Sequence, residues 1–165
     1  METIESAVVG LGNPIRKDDA VGLVVARAVC RHLEGKRNAH LIEATSCGLH
    51  LIERLVGYGR AVVIDAIQSD AGVPGEYYRI DVQASMAEEA PAMTHQIGLL
   101  EGLVLARRIG MDVPAYLRVY AMEVADPHSY GEGLTEAVRL AVPRLTAVIL
   151  SAEFGMQSKP VTLAG

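Results

Sequence analysis

Ala61-Val62-Val63-Ile64-Asp65 is apolar up to its last residue, a pattern that suits a strand covered on both faces rather than one with a wet side. Ser6–Leu11 and His40–Ala44 behave similarly and read as the first and second strands. The segments between these runs have helical character: Ala20–Val29 has the length and spacing of a helix, and Leu49–Val56 of a shorter one. Strands separated by helices must be joined by crossovers, which makes neighbouring strands parallel and puts helices on both sheet faces.

The second half continues the alternation. Gly72-Val73-Pro74-Gly75 is a turn signal, and Glu76–Val82 after it is aromatic and β-branched enough for a strand. The stretch Glu88–Met93 reads as a mobile loop, followed by a helix from about Thr94, its expected N-cap, to a stop at Gly110. Tyr116–Met122 is the last strand and Thr135 to about Ser151 the last helix, which Pro143 should kink or split. The expected fold is therefore α/β: a three-layer αβα sandwich with a mostly parallel, twisted sheet of about five strands and helices on both faces.

A chain of 165 residues without repeats or linkers is expected to form one domain over 1–165, with a frayed tail at about 155–165. With 50% hydrophobic and 21% charged residues it is too apolar for intrinsic disorder, and it has no long uncharged run for a membrane helix. A net charge of −5 supplies no global basic field, so neither nucleic acid nor a membrane is expected as partner. Cys30 and Cys47 are the only cysteines, and Met1–Glu5 shows no basic segment leading into an apolar one. The expectation is a cytoplasmic, reduced protein whose two thiols are buried or semi-buried, a monomer or weak oligomer.

In an open α/β sheet, ligands bind at the carboxyl ends of the strands. Asp18 and Asp19 in the loop after the first strand, Asp65 at the end of the third, and His95 at the start of a helix all map there. Gly10-Leu11-Gly12-Asn13-Pro14-Ile15 begins like a dinucleotide fingerprint, but Ile15 replaces the third glycine, and two carboxylates would repel a pyrophosphate. Helix capping accounts for one of the two aspartates; a turn cap accounts for Asp65, and a satisfied helix-start histidine for His95. As a set, an aspartate of the first loop, Asp65 and His95 form an O, O, N trio for a divalent ion such as nickel, zinc, cobalt or manganese, with coordination positions left open. His32, near a helix C-terminus, reads as structural, and His50 as a substrate or outer-shell contact. No nucleophile elbow supports a covalent triad.

Taken together, Gly10-x-Gly12-Asn13-x-x-x-x-Asp18-Asp19-x-x-Gly22, Val63-Ile64-Asp65-Ala66, Thr94-His95-Gln96-x-Gly98-Leu99 and Gly133-Leu134-Thr135-x-x-Val138 resemble the hydrogenase maturation proteases, in order and over nearly the whole chain. The resemblance implies a cytoplasmic endopeptidase that removes a C-terminal extension from the large-subunit precursor of a [NiFe] hydrogenase after nickel insertion. It places the family's metal-binding residues on Asp19, Asp65 and His95, with catalytic roles for Asp18, Asp19 and Asp65, of which Asp18 or Asp65 is the general base. Nickel is then held by the substrate, or the enzyme carries its own metal as an ordinary metallopeptidase, and zinc or cadmium can occupy the same place. Glu43-Ala44-Thr45-Ser46-Cys47-Gly48 departs from the family's aspartate, glycines and threonine, and Met122-Glu123-Val124-Ala125 lacks the expected proline. A nickel-sensing chaperone that docks without cutting would use the same trio. Gly10-Leu11-Gly12-Asn13-Pro14 also resembles the opening of peptidyl-tRNA hydrolases, but the threonine-arginine-histidine-asparagine run of that family is absent.

Overall fold

The computed structural model describes residues 5–36, 38–82 and 94–156, with the side chains of 94–97 excepted. The element order is β1 (Ser6–Leu11), a 3-10 turn (Asp18–Ala20), α1 (Val21–Leu33), β2 (Ala39–Ala44), α2 (Leu49–Arg54), β3 (Arg60–Ile67), β4 (Tyr77–Asp81), α3 (Thr94–Arg108), β5 (Tyr116–Glu123) and α4 (Glu136–Phe154). The strands form one sheet in the order β2-β1-β3-β5-β4. All neighbours are parallel except β4, which runs antiparallel to β5 at the edge, with Tyr77 opposite Met122. The anticipated loop over Glu88–Met93 and the chain beyond 156 lie outside the described residues.

Period-two alternation divides the central strands between two cores. Val8, Val62, Ile64, Tyr120 and Met122 pack beneath α1 and α4. Their neighbours Val9, Ala61, Val63, Leu117 and Val119 pack on the other face against Leu51 and Ile52 of α2 and Leu99 and Leu103 of α3. Both faces are covered, which is why β1 and β3 read as nearly uninterrupted apolar runs.

Where α1 begins, Gly22 lies against two strands at once. A Cβ there would stand 2.3 Å from the Leu11 carbonyl oxygen and 2.5 Å from that of Ile64, so only glycine lets the helix approach. Gly22→Ala is expected to destabilise the protein by about 2–3 kcal/mol through overpacking against backbone that has no rotamer to change. Urea unfolding checks this; a shift below about 0.5 kcal/mol, the scale of an ordinary surface substitution, contradicts it.

Pro143 does not split the last helix, which is continuous from Glu136 to Phe154. The ring leaves the Arg139 carbonyl without its helical donor, but Arg139 and Pro143 are both exposed, so water can take that place. Val138, Leu145, Ile149 and Leu150 hold the helix from its buried side.

The amino-terminal end of the sheet is closed by a buried carboxylate. Glu153 of α4 is 3% exposed and accepts hydrogen bonds from Tyr120 Oη (2.5 Å), Arg60 Nη2 (2.6 Å), Tyr116 Oη (2.8 Å) and Arg118 Nη1 (3.2 Å). Burial pushes its carboxyl up, but the bonds from Tyr120, Tyr116 and Arg60 and the charge of Arg118 outweigh this and hold it below the ordinary value. Arg118 also reaches Asp81 of the edge strand at 3.2 Å, tying β4, β5, β3 and α4 to one cluster.

Candidate functional site

At the opposite end, the β1–α1 loop folds back on itself. Gly12 has a φ of +145°, and a Cβ there would sit 1.9 Å from the Asp19 carbonyl oxygen, so this position needs glycine for both conformation and space. The fold-back brings the Asn13 amide within 2.8 Å of Asp19 Oδ2. Asn13 Oδ1 accepts from the Ile15 amide at 3.1 Å, forming a local side-chain turn. Asp19 is thereby fixed half-buried in the 3-10 turn ahead of α1.

Neither aspartate caps α1. Its N-cap is Ala20, with no side-chain cap bond. Asp18 instead turns away, is fully buried, and accepts four hydrogen bonds from the loop between β5 and α4. The Thr135 amide (2.7 Å) reaches Oδ1; the Thr135 hydroxyl (2.8 Å) and the amides of Asp126 (2.9 Å) and Ala125 (3.1 Å) reach Oδ2. The Asp18 amide returns a bond to the Asp126 carbonyl at 3.1 Å, and Lys17 pairs with the Asp126 carboxylate at 3.6 Å. Bonds from Ser129, and then from the His128 amide and the charge of Lys17, hold Asp126 down to about 2, so this loop keeps its negative charge at any physiological pH. The bland capping account is thus replaced by a tertiary clasp between two loops separated by more than a hundred residues.

Asp65 lies near the carboxyl end of β3, 9% exposed, with Oδ1 accepting from the Ala66 amide at 2.8 Å. Beyond it, the loop to β4 is held by the buried Glu123 of β5, which accepts from the Ser69 hydroxyl (2.5 Å) and amide (3.2 Å). A Cβ at Gly72 would stand 2.1 Å from the Glu123 carboxylate, so a side chain there requires that carboxylate to shift. Cys47, in the loop after β2, is pushed up to about 12 by burial and then by the negative charge of Asp65. It is a protonated thiol at neutral pH, and its closeness to Asp65 is a site feature that sequence reading passed over. Its one signal is its position just past the second strand.

His95 stands in the first turn of α3, and the position of its side chain lies outside the described residues. Among the described residues no group of three His, Cys, Asp or Glu side chains gathers around a common point. The turn holding Asp19 follows β1, and Asp65 lies near the carboxyl end of β3, the adjacent parallel strand. Carboxylates of this kind can offer oxygen ligands to a cation or accept a proton from water.

A cleft of about 300 Å³ opens beside the β1 loop, lined by Gly12, Pro14, Glu43, Thr45, His50 and Arg54 among others. His50 is exposed there and pairs with Glu53 at 3.3 Å. His32 bonds the Ala28 carbonyl of its own helix at 2.8 Å, in keeping with its structural reading. Cys30 and Cys47 are free thiols, and burial pushes Cys30 up to about 11. No helix among the described residues is long and apolar enough to cross a membrane.

The chain resembles known proteins over most of its length. It is 28% identical to the hydrogenase expression/formation protein HupD of Thiocapsa roseopersicina over 166 aligned positions, covering 94% of this chain and 71% of that protein. It is 25% identical to the hydrogenase 2 maturation protease of Escherichia coli, covering 93% and 94%. Among solved structures, the hydrogenase maturating endopeptidase HybD of E. coli shares the fold with a TM-score of 0.70 at 23% identity, covering 92% of this chain and 93% of that one. The [NiFe] hydrogenase maturation protease HybD of Thermococcus kodakarensis does so with a TM-score of 0.71 at 22% identity, covering 90% and 98%. The model of the HycI hydrogenase maturation proteases matches residues 23–152, and by that match the chain belongs to the hydrogenase maturation protease family.

Proposed function

We propose that this chain is an endopeptidase that removes the C-terminal extension of a [NiFe] hydrogenase large-subunit precursor once nickel is in place. The reading rests on family membership together with one observation, that the turn holding Asp19 follows β1 while Asp65 lies near the carboxyl end of the adjacent parallel strand β3. Nickel here belongs to the substrate, and Asp19, Asp65 and His95 approach it as an O, O, N set whose open positions suit an ion already held by the precursor. A precursor without the metal then lacks the contact that seats its cleavage point.

Asp65 carries the general-base role in this reading. The Ala66 amide fixes its carboxylate on the strand end, and a base must be held within hydrogen-bond reach of the water it activates. Asp18 acts by position: four protein donors occupy its oxygens, so it anchors the turn that presents Asp19.

The test is mass spectrometry of a large-subunit precursor from the same organism, with and without nickel, incubated with the chain and its variants. The expected result is loss of a C-terminal peptide from the nickel-loaded form alone. Asp65→Asn should slow processing by about 10²–10⁴-fold, the usual worth of a positioned base, and Asp19→Ala and His95→Ala should prevent it. An unchanged precursor mass in the wild-type reaction would replace the peptidase with a non-cleaving docking chaperone; full activity of Asp19→Ala would remove the trio.

A further inference from the structure

Among the described residues, β2 is an edge strand with no neighbour on its outer side. At the two ends of its pairing with β1, the Ser6 amide donates to Asn38 and the Gly12 amide to the Ala44 carbonyl, each at 3.0 Å. Because strand residues alternate, the even-numbered residues of β2 turn their backbone groups toward β1, and Ala39, Leu41 and Glu43 turn theirs outward. Among the described residues, only the Glu43 carbonyl on that side has a partner, Arg54 Nη1 at 2.6 Å. Natural proteins normally cover or blunt such an edge, because free amides and carbonyls in register are a template for another strand.

The carboxyl end of this edge is flanked by cations from both faces of the sheet. Arg27 of α1 donates Nε to the Glu43 carboxylate, and Arg54 reaches the edge from α2 on the other face. One guanidinium thus meets the Glu43 carboxylate and the other its backbone carbonyl, with donors left over on each. Arg27, Arg54 and Glu43 line the cleft that also borders Gly12 and Pro14 of the loop leading to Asp19, so the open edge runs up to the flank of that loop.

We propose that the β2 edge and this cleft bind the peptide segment on the far side of the cleaved bond, as an added strand; this rests on the processing role proposed above. The direction follows from geometry. A chain leaving the carboxyl ends of the strands and running along β2 travels from Glu43 toward Ala39, antiparallel to β2. It exchanges backbone bonds with Leu41 and receives one from the Glu43 amide, the mode by which many domains hold extended peptides. Its first residues pass between Arg27 and Arg54, a position that favours an acidic side chain. Arg54, capping the Glu43 carbonyl, marks where the pairing begins.

The experiment uses the full-length ¹⁵N-labelled chain, a synthetic peptide spanning the segment that processing removes, and the nickel-loaded precursor. The peptide is expected to shift the amide resonances of Leu41 and Glu43 and to bind more weakly as salt is raised. Leu41→Pro removes an outward N–H without breaking the ladder to β1, and should weaken peptide binding by about tenfold, the scale of one buried hydrogen bond plus lost edge geometry. The double variant Arg27→Ala/Arg54→Ala removes only exposed groups, so it folds, and should raise the KM for the precursor by about tenfold or more with kcat kept. Peptide shifts elsewhere, or a double variant with unchanged KM and peptide affinity, overturn the proposal even if wild-type processing is intact. Shifts at Leu41 and Glu43 from a chain that never cleaves the precursor would uphold the binding edge and remove the peptidase reading instead.

Discussion

Glu153→Ala is expected to lower the free energy of unfolding by about 3 kcal/mol at neutral pH. Removing one member of a buried ionic cluster typically costs 3–5 kcal/mol, because the remaining charges stay in the interior without their partner. The lower figure applies here, since the Arg60 and Arg118 side chains are 25% and 17% exposed and can recover some hydration. Two tyrosine hydroxyls also lose their acceptor, and Tyr120, wholly buried, has no water to turn to. Denaturant unfolding measures the effect; a loss under about 1 kcal/mol would mean that the cluster contributes no more than a surface ion pair. The same carboxylate sets an acid limit. Its folded-state value is depressed below the ordinary 4.5, so its contribution is complete above that pH and is lost as the pH falls through the lower folded value. Glu153→Gln should therefore be less stable at neutral pH and should lose less further stability than wild type on acidification below about pH 4.

Asp18→Ala should be of similar size and should also stop processing. Four donors lose their acceptor in a fully buried place, and hydrogen bonds to charged groups are worth about 1.5–3 kcal/mol each before relaxation. Partial opening of the two loops to water brings the expected net loss to about 3 kcal/mol, or about 10 °C in Tm for a chain of this length. Because Asp18 and Asp19 are consecutive in one short turn, freeing the first displaces the second. Processing of the nickel-loaded precursor should fall below detection even at temperatures where the variant stays folded. A variant that melts with wild type and processes normally would show that the clasp is ornamental. Asp18→Asn should rescue in part, since its oxygen can keep the three bonds to the Oδ2 place while its NH2 group opposes the Thr135 amide.

Elements whose identity is set by local periodicity were legible in the sequence. β1 has the expected bounds Ser6–Leu11, and β3 extends the expected Ala61–Asp65 by one residue before and two after, because its flanks pair with β5. What the sequence could not carry was partnership at a distance. Asp18 precedes a helix and so looks like a cap, and only the fold brings residues 125–135 to it. Glu153 lies past the expected helix end at Ser151 with no local mark of burial, yet Arg60, Tyr116, Arg118 and Tyr120 converge on it from two strands. The antiparallel course of β4 was equally hidden, since a strand shows the same alternation in either direction. Of the candidate site, Asp19 and Asp65 were placed by one rule, that ligands gather at the carboxyl ends of strands. The closeness of Cys47 to Asp65 had only one local signal, the position of Cys47 just past the second strand.

The insertion of β5 between β3 and β4 also sets when this molecule can work. A nascent chain emerging from the ribosome can bring β1, β2 and β3 together, but β4 has no neighbour to pair with until β5 has been made, and Asp18 has no donors until the segment through Thr135 follows. Contacts that close over such long stretches form late. The carboxyl end of the sheet is therefore completed late, and a polypeptide cut before Ala125 is expected to lack the clasp on Asp18 although it carries Asp18, Asp19, Asp65 and His95.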